Sequence, residues 1–187
     1  MARFSKILKD GLFLGAFLVL ASMIMAKLDL NEEVRLGGPF FAIDGDTLAA
    51  GAERLRLLDL DAPEADQQCR DGNGRDWPCG DAARSELSKL ASGREASCSG
   101  GKRDRYDRIL VRCRANDVDI NGELVRRGMA VSAGGYGSEE AMAKADRRGI
   151  WAGPFDTPRR WRAQKGMMDD DAADWRLLSW LKGIMGW

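Results

Sequence analysis

Histidine is absent from this 187-residue chain. That removes Ser-His-Asp and Cys-His nucleophile systems, histidine general bases and histidine-containing zinc sites. Acid–base chemistry, if the chain performs any, falls to carboxylates. An excess of positive charge is missing as well, because Lys+Arg and Asp+Glu both number 29. Any phosphate-binding surface must therefore be local and not a property of the whole molecule. Cysteine is sparse, and Cys69, Cys79, Cys98 and Cys113 are not spaced as the close pairs that a four-cysteine zinc site needs. A second full domain does not fit: the length suits one domain plus appendages, with enough apolar content for a proper core.

Long apolar runs are rare, and the one present lies at the N-terminus. A basic opening from Met1 to Lys9 precedes an apolar stretch from Gly11 to Ala26, the layout of a secretory signal or an uncleaved anchor. The stretch is short against the roughly 20 residues of a membrane span, although Leu28 and Leu30 extend it past a snorkelling Lys27. Ile24 and Ala26 do not make a small-x-small cleavage site. Anchor and cleaved signal both remain open, with a buried core helix as a third reading. All three start the globular part near Asn31. The expected location is outside the cytoplasm: the periplasmic face of an inner membrane if anchored, or periplasmic or secreted if cleaved. An even cysteine count in a chain that reads as exported implies disulfides, and four cysteines allow three pairings.

Residues 39–60 read as a three-stranded meander, with Asp44-Gly45-Asp46 and Gly51-Ala52 as turns. Pro63 ends the third strand and delivers Asp61 and Glu64 to a loop mouth. Residues 65–80 form a Gly-, Asp- and Gln-rich excursion pinned by Cys69 and Cys79. Ala83, Leu87 and Leu90 share one face of a helix over 81–90, with Gly93 as its stop. Glu95–Ser99 and Ile109–Ala115 flank a charged turn. Paired as a hairpin, they set Cys98 opposite Cys113, which favours the two local disulfides. Asn121 is expected to cap a short helix stopped by Gly128, and Ser138 to open another toward Gly149. The order of three strands, helix, two strands and two helices suits an α+β fold: a five-stranded Greek-key barrel of the OB kind with three helices. The basic, aromatic segment 155–162 is expected to lie back on the domain. The division is then 1–30 signal or anchor, 31–162 globular domain, 163–172 linker and 173–187 an amphipathic C-terminal helix with Trp175, Leu178, Leu181 and Met185 on one face.

Acids crowd the strand ends between Ile43 and Glu64, where strands usually exclude Asp. Clustered carboxylate oxygens repel one another unless a hard cation such as Ca2+ or Mg2+ lies between them. Arg56 and Asp61 are five apart, an odd spacing that aims them at opposite faces of a regular strand. If both serve one site, the chain must bend between them. Asp44 reads as a turn residue supporting its neighbours, and Arg112, Arg114, Arg126 and Arg127 as solvated faces.

Four motifs in order, Ile43-Asp44-Gly45-Asp46-Thr47, Arg56 to Glu64, Asp104-Arg105-Tyr106-Asp107-Arg108 and Asn121 to Gly128, together resemble the thermonuclease (staphylococcal-nuclease-like) family, and Arg148-Gly149-Ile150-Trp151 with the cysteine positions resembles its exported bacterial branch. The resemblance runs from about Pro39 to Trp151. It implies a monomeric, Ca2+-dependent nuclease hydrolysing phosphodiesters of DNA and RNA, with single strands preferred. Asp46 and Asp61 would supply metal carboxylates and Ala62 a backbone carbonyl. Glu64 would activate or orient water, while Arg56 and Arg108 would clamp the scissile phosphate. Arg105 and Tyr106 match positions that touch the substrate phosphate. Two positions depart from the family: Ala62 stands where the best-known member has Thr, and Val131 to Gly135 lacks a stacking Tyr, for which Tyr136 is the substitute. The chemistry suits those roles, since a divalent ion and two guanidiniums neutralise the phosphate that hydroxide must approach.

Two other readings stand beside the nuclease. One is a non-catalytic OB module that binds single-stranded nucleic acid without cutting it. The other is a membrane scaffold built on the N-terminal segment and the Trp-rich C-terminal helix.

Overall fold

Alternation of apolar and polar residues organises the sheet. In Ile109–Ala115 the side chains of Ile109, Val111 and Cys113 are buried and Arg112 and Arg114 are exposed; in Glu53–Leu57, Leu55 and Leu57 are buried and Arg54 is exposed. The structure, a computed structural model, describes residues 11, 13–23, 25 and 33–166. In chain order these hold α1 (residues 13–23), β1 (Val34–Gly37), β2 (Phe41–Ala42), β3 (Thr47–Ala50), β4 (Glu53–Leu57), β5 (Leu60–Asp61), β6 (Cys69–Arg70) and β7 (Asp76–Trp77). There follow α2 (Cys79–Ala91), β8 (Ala96–Arg103), β9 (Ile109–Ala115), β10 (Val118–Asp119), α3 (Ile120–Arg126), β11 (Val131–Ser132), α4 (Gly137–Ala145), a 3-10 turn (Gly149–Ala152) and α5 (Pro158–Gln164).

The main sheet has the order β1-β8-β9-β4-β3-β2, with β10 folding back on β9. Only the β4–β9 pair is parallel; the rest are antiparallel. The expected meander is β2-β3-β4, and the expected hairpin is β8-β9, with Cys98 directly opposite Cys113 and the two bonded. Cys69 and Cys79 are bonded too, across the β6–β7 excursion. The sheet also recruits β1, which alternates Val34-Arg35-Leu36 and pairs with β8.

α2 lays Ala83, Leu87 and Ala91 into a core shared with Phe40, Leu48, Leu55, Leu57, Val111 and Leu124. A smaller cluster of Cys69, Cys79 and Ile150 takes in Trp77, Trp151 and Phe155.

Two local expectations change. Asn121 does not cap α3. Asp119 does, its carboxylate accepting from Gly122 N–H at 3.2 Å, and Asn121 is fully buried inside the helix. The third strand of the meander is two pieces, because the chain turns at Leu58-Asp59, where Asp59 has φ of 65°, before β5 pairs with β11. Among the described residues no helix is long and apolar enough to cross a membrane. The expected helix over 173–187 lies outside the described residues.

Candidate active site

The turn between β2 and β3 brings the first acid inward. Asp46 N–H donates to the Asp44 carboxylate at 3.0 Å, an Asx turn. Gly45 allows it to sit against the next loop, since a Cβ there would lie 2.6 Å from the Ala62 Cβ and 2.9 Å from the Ala83 Cβ. The Asp46 carboxylate, 3% exposed, accepts from the Thr47 hydroxyl at 3.1 Å, from Ala62 N–H at 3.1 Å and from Arg56. Burial pushes its pKa up to about 7; Arg56 pulls against that shift and Asp44 adds to it.

The turn at Asp59 brings Arg56 and Asp61 together. Arg56 Nη2 donates to Asp61 Oδ1 at 3.1 Å while Nη1 reaches Asp46, so one guanidinium bridges an acid of the β2–β3 turn and an acid of β5. Odd spacing along a regular strand would have separated them; the break between β4 and β5 supplies the bend.

Glu64 follows on a tightly held loop. Its N–H donates to the Gln67 side-chain oxygen at 3.1 Å, and its carbonyl accepts from Gln67 N–H at 2.8 Å. Gln67 is fully buried and donates onward to the Asp156 carbonyl at 2.6 Å. Gly80 presses on the same loop so closely that a Cβ would fall 1.8 Å from the Glu64 carbonyl oxygen.

Arg108 comes from the far end of the β8–β9 hairpin. Asp104 fixes it by accepting from its backbone N–H at 3.0 Å and from Nε at 2.8 Å. The Asp104 carboxyl meets a desolvation penalty that raises its pKa, but the hydrogen bonds from Arg108 and Tyr106 outweigh it and hold the pKa below the ordinary value. The Arg108 guanidinium lies 5.2 Å from the centre of the Tyr106 ring. Arg105 lies 4.8 Å from the centre of the same ring and donates to the Tyr106 hydroxyl at 2.8 Å, and it does not line the cleft.

These segments converge on a cleft of about 190 Å³ lined by Asp46, Arg56, Ala62, Glu64, Tyr106 and Arg108, with Asp44 at its edge. Tyr136 is elsewhere. It is 9% exposed, its ring packs on Gly122 and its hydroxyl donates to Asp119 at 3.1 Å.

A third arginine lines the cleft. Arg162, on α5, donates to Asp61 Oδ1 at 3.1 Å, to Asp61 Oδ2 at 3.0 Å and to Glu64 Oε1 at 2.7 Å. Burial would lower its pKa, but the bonds to Asp61 and Glu64 reverse this and raise it. Sequence reasoning placed this basic, aromatic segment against the domain without assigning any residue to the site.

The donor set is all oxygen, namely the Asp46, Asp61 and Glu64 carboxylates and the Ala62 carbonyl, and suits a hard ion such as Ca2+. Among the described residues no group of three or more acidic or cysteine side chains is gathered tightly enough to hold an ion. Arg56 and Arg162 lie between these acids. The donors therefore fit the ion in kind, with guanidiniums standing between them.

The sheet thus brings acids and arginines to one polar cleft. Residues 54–153 match the family described as Staphylococcal nuclease homologue, and the chain belongs to that family, with its OB-type fold. It is 37% identical over 140 residues to the succinoglycan biosynthesis protein ExoI of Rhizobium meliloti (strain 1021), covering 71% of this chain and 73% of the relative. An uncharacterized endonuclease of Escherichia coli is 30% identical over 135 residues, covering 66% and 82%. The micrococcal nuclease of Shigella flexneri is 29% identical over 170 residues, covering 79% and 89%. The family and its nuclease-named members support a nuclease function and a nucleic-acid substrate. The two disulfides are in keeping with an oxidising, extracytoplasmic setting.

Proposed function

We propose that the chain is a Ca2+-dependent phosphodiesterase acting on DNA and RNA, its cleft working as a two-arginine phosphate clamp beside a carboxylate-held ion. What supports the reading is that Asp46, Glu64, Arg56 and Arg108 line one cleft from three distant segments, with Asp61 bonded to Arg56 beside them. Asp46, Asp61 and the Ala62 carbonyl would hold the ion, which when bound supplies positive charge that favours hydroxide over water and offsets charge on the phosphate. Glu64 accepts a proton from the attacking water. The water oxygen forms a new P–O bond as the bond to the leaving oxygen breaks, and that oxygen takes up a proton. Arg56 and Arg108 donate to the non-bridging phosphate oxygens, where charge accumulates in the transition state. Asp104 and Tyr106 hold Arg108 in place. The N-terminal apolar segment would tether or export the domain.

The test is hydrolysis of a plasmid and of a labelled single-stranded oligonucleotide. Activity should need Ca2+, stop with chelator and fall about 100- to 1,000-fold in Arg56→Ala, by analogy with removing one preorganised charge-stabilising donor, and comparably in Arg108→Ala and Glu64→Gln. Binding without cleavage at millimolar-scale Ca2+ would assign the chain to the non-catalytic OB class instead. Cleavage indifferent to chelator would refute the metal role.

A further inference from the structure

Arg162 has partners that phosphate clamping does not require. Its three hydrogen bonds go to Asp61 and Glu64, the carboxylates assigned above to the ion and to the water, and occupy both Asp61 oxygens. The side chain is 24% exposed and its placement is built into the fold. Thr157 caps α5 by accepting from Arg160 N–H at 3.3 Å, and Pro158 stands in the first turn. Trp161 Nε1 donates to Asp66 at 3.2 Å, and Lys165 pairs with the same carboxylate. The Gln67 side chain that supports the Glu64 loop also bonds the Asp156 carbonyl just before the helix. The loop that carries Glu64 and the helix that carries Arg162 are thus tied together.

A guanidinium between two carboxylates does electrostatically what a divalent ion would do there, and the oxygen lone pairs it accepts from are not free to coordinate. Without Arg162, three acids, Asp46, Asp61 and Glu64, would face one bridging guanidinium, that of Arg56.

We propose that Arg162 is a built-in competitor of the divalent ion: guanidinium and ion share Asp61 and Glu64, so the ion binds as Arg162 withdraws, and α5 thereby sets the metal affinity of the cleft. This rests on the metal-dependent reading above. The withdrawn guanidinium stays at the cleft wall, and the competition keeps the acids neutralised until the ion arrives.

The test is calorimetric titration of Ca2+ into the full chain with no nucleic acid present. Removing the competitor in Arg162→Gln should tighten Kd about 10- to 100-fold, the equivalent of forfeiting one or two charge-assisted hydrogen bonds on ion entry. Arg162→Lys, which keeps the charge but loses the two-pronged contact to Asp61, should fall between wild type and Arg162→Gln. Trp161→Phe removes only the bond to Asp66 and loosens α5 with the site intact; it should shift Kd the same way by a smaller factor, and it serves if Arg162→Gln does not fold. Asp61→Asn reports whether the heat comes from this cleft. Ca2+ binding that Asp61→Asn abolishes but Arg162→Gln and Trp161→Phe leave unchanged or weakened overturns the competition while the metal site stands. Absence of Ca2+ binding in the wild type and every variant overturns both.

Discussion

Asn121 offers a quantitative test of how the bend between Arg56 and Asp61 is held. Its side-chain oxygen accepts from Cys113 N–H at 3.0 Å, and its amide donates to the part-buried Leu58 carbonyl at 3.1 Å and the Val111 carbonyl at 3.3 Å. Replacement by Leu, similar in size and apolar, deletes all three bonds with little cavity. Val111 C=O keeps the bond from Leu58 N–H at 2.9 Å, so Cys113 N–H and Leu58 C=O carry most of the loss. At about 1–3 kcal/mol for each of the two groups left unpaired, the expected destabilisation is about 2–6 kcal/mol. In a urea titration, with m of about 2 kcal/mol/M, the midpoint should fall by about 1–3 M. Asn121→Asp should be at least as damaging, because it keeps the acceptor for Cys113 but turns a carboxylate toward two carbonyls. A midpoint change below about 0.5 M for Asn121→Leu, less than 1 kcal/mol at that slope, would refute the view that this amide clamps the bend.

Three further outcomes are expected. Replacing both Cys98 and Cys113 by Ala should cost about 3 kcal/mol, the chain-entropy figure for a loop of about 15 residues, read by the same titration against wild type under non-reducing conditions. Gly80→Ala drives a Cβ into the Glu64 carbonyl, so it should destabilise by about 1–3 kcal/mol and depress hydrolysis by displacing the Glu64 loop. Tyr136, pushed up to about 12 by burial and then by Asp119, binds its proton more tightly folded than unfolded. Its contribution is therefore present below pH 10 and lost between about pH 10 and 12, and Tyr136→Phe should flatten that alkaline part of the stability curve.

The acids of the cleft were legible because carboxylates at strand ends contradict strand propensity, and the requirement for a bend followed from side-chain parity alone. The device that makes the bend was not legible: Asp59 in the left-handed region and an internal asparagine look like any turn and any helix cap in one dimension. Asn121 read as a cap because asparagine favours caps, yet Asp119 stands two residues earlier with a carboxylate free for Gly122. Tyr136 was enlisted for stacking because it is the next tyrosine along, but the α3–α4 contact buries it on Gly122. β1 escaped because four residues of alternation carry little signal without the β8 edge they pair with. Arg126 and Arg127 read as solvated; they are half-exposed, and both reach Glu123, which the same helix holds at their base.

Arg162 was illegible for a different reason. Nothing local distinguishes it from Arg159 or Arg160, which share its helix; only the direction of α5, fixed by Trp161, Lys165 and Gln67, selects it for the cleft. It also lies after the family-matched segment 54–153, as Asp46 lies before it. Arg56, Asp61, Glu64 and Arg108 are inside that segment, and Asp46 and Arg162 are on its flanks. If affinity for the ion depends on the balance between Asp46 and Arg162, it can shift between relatives with the phosphate chemistry unchanged. Grafting residues 154–166 onto a relative with a free cleft should then weaken that relative's Ca2+ binding while leaving hydrolysis at saturating Ca2+ intact. Equal Ca2+ affinity with and without the graft would show that α5 acts only as a brace.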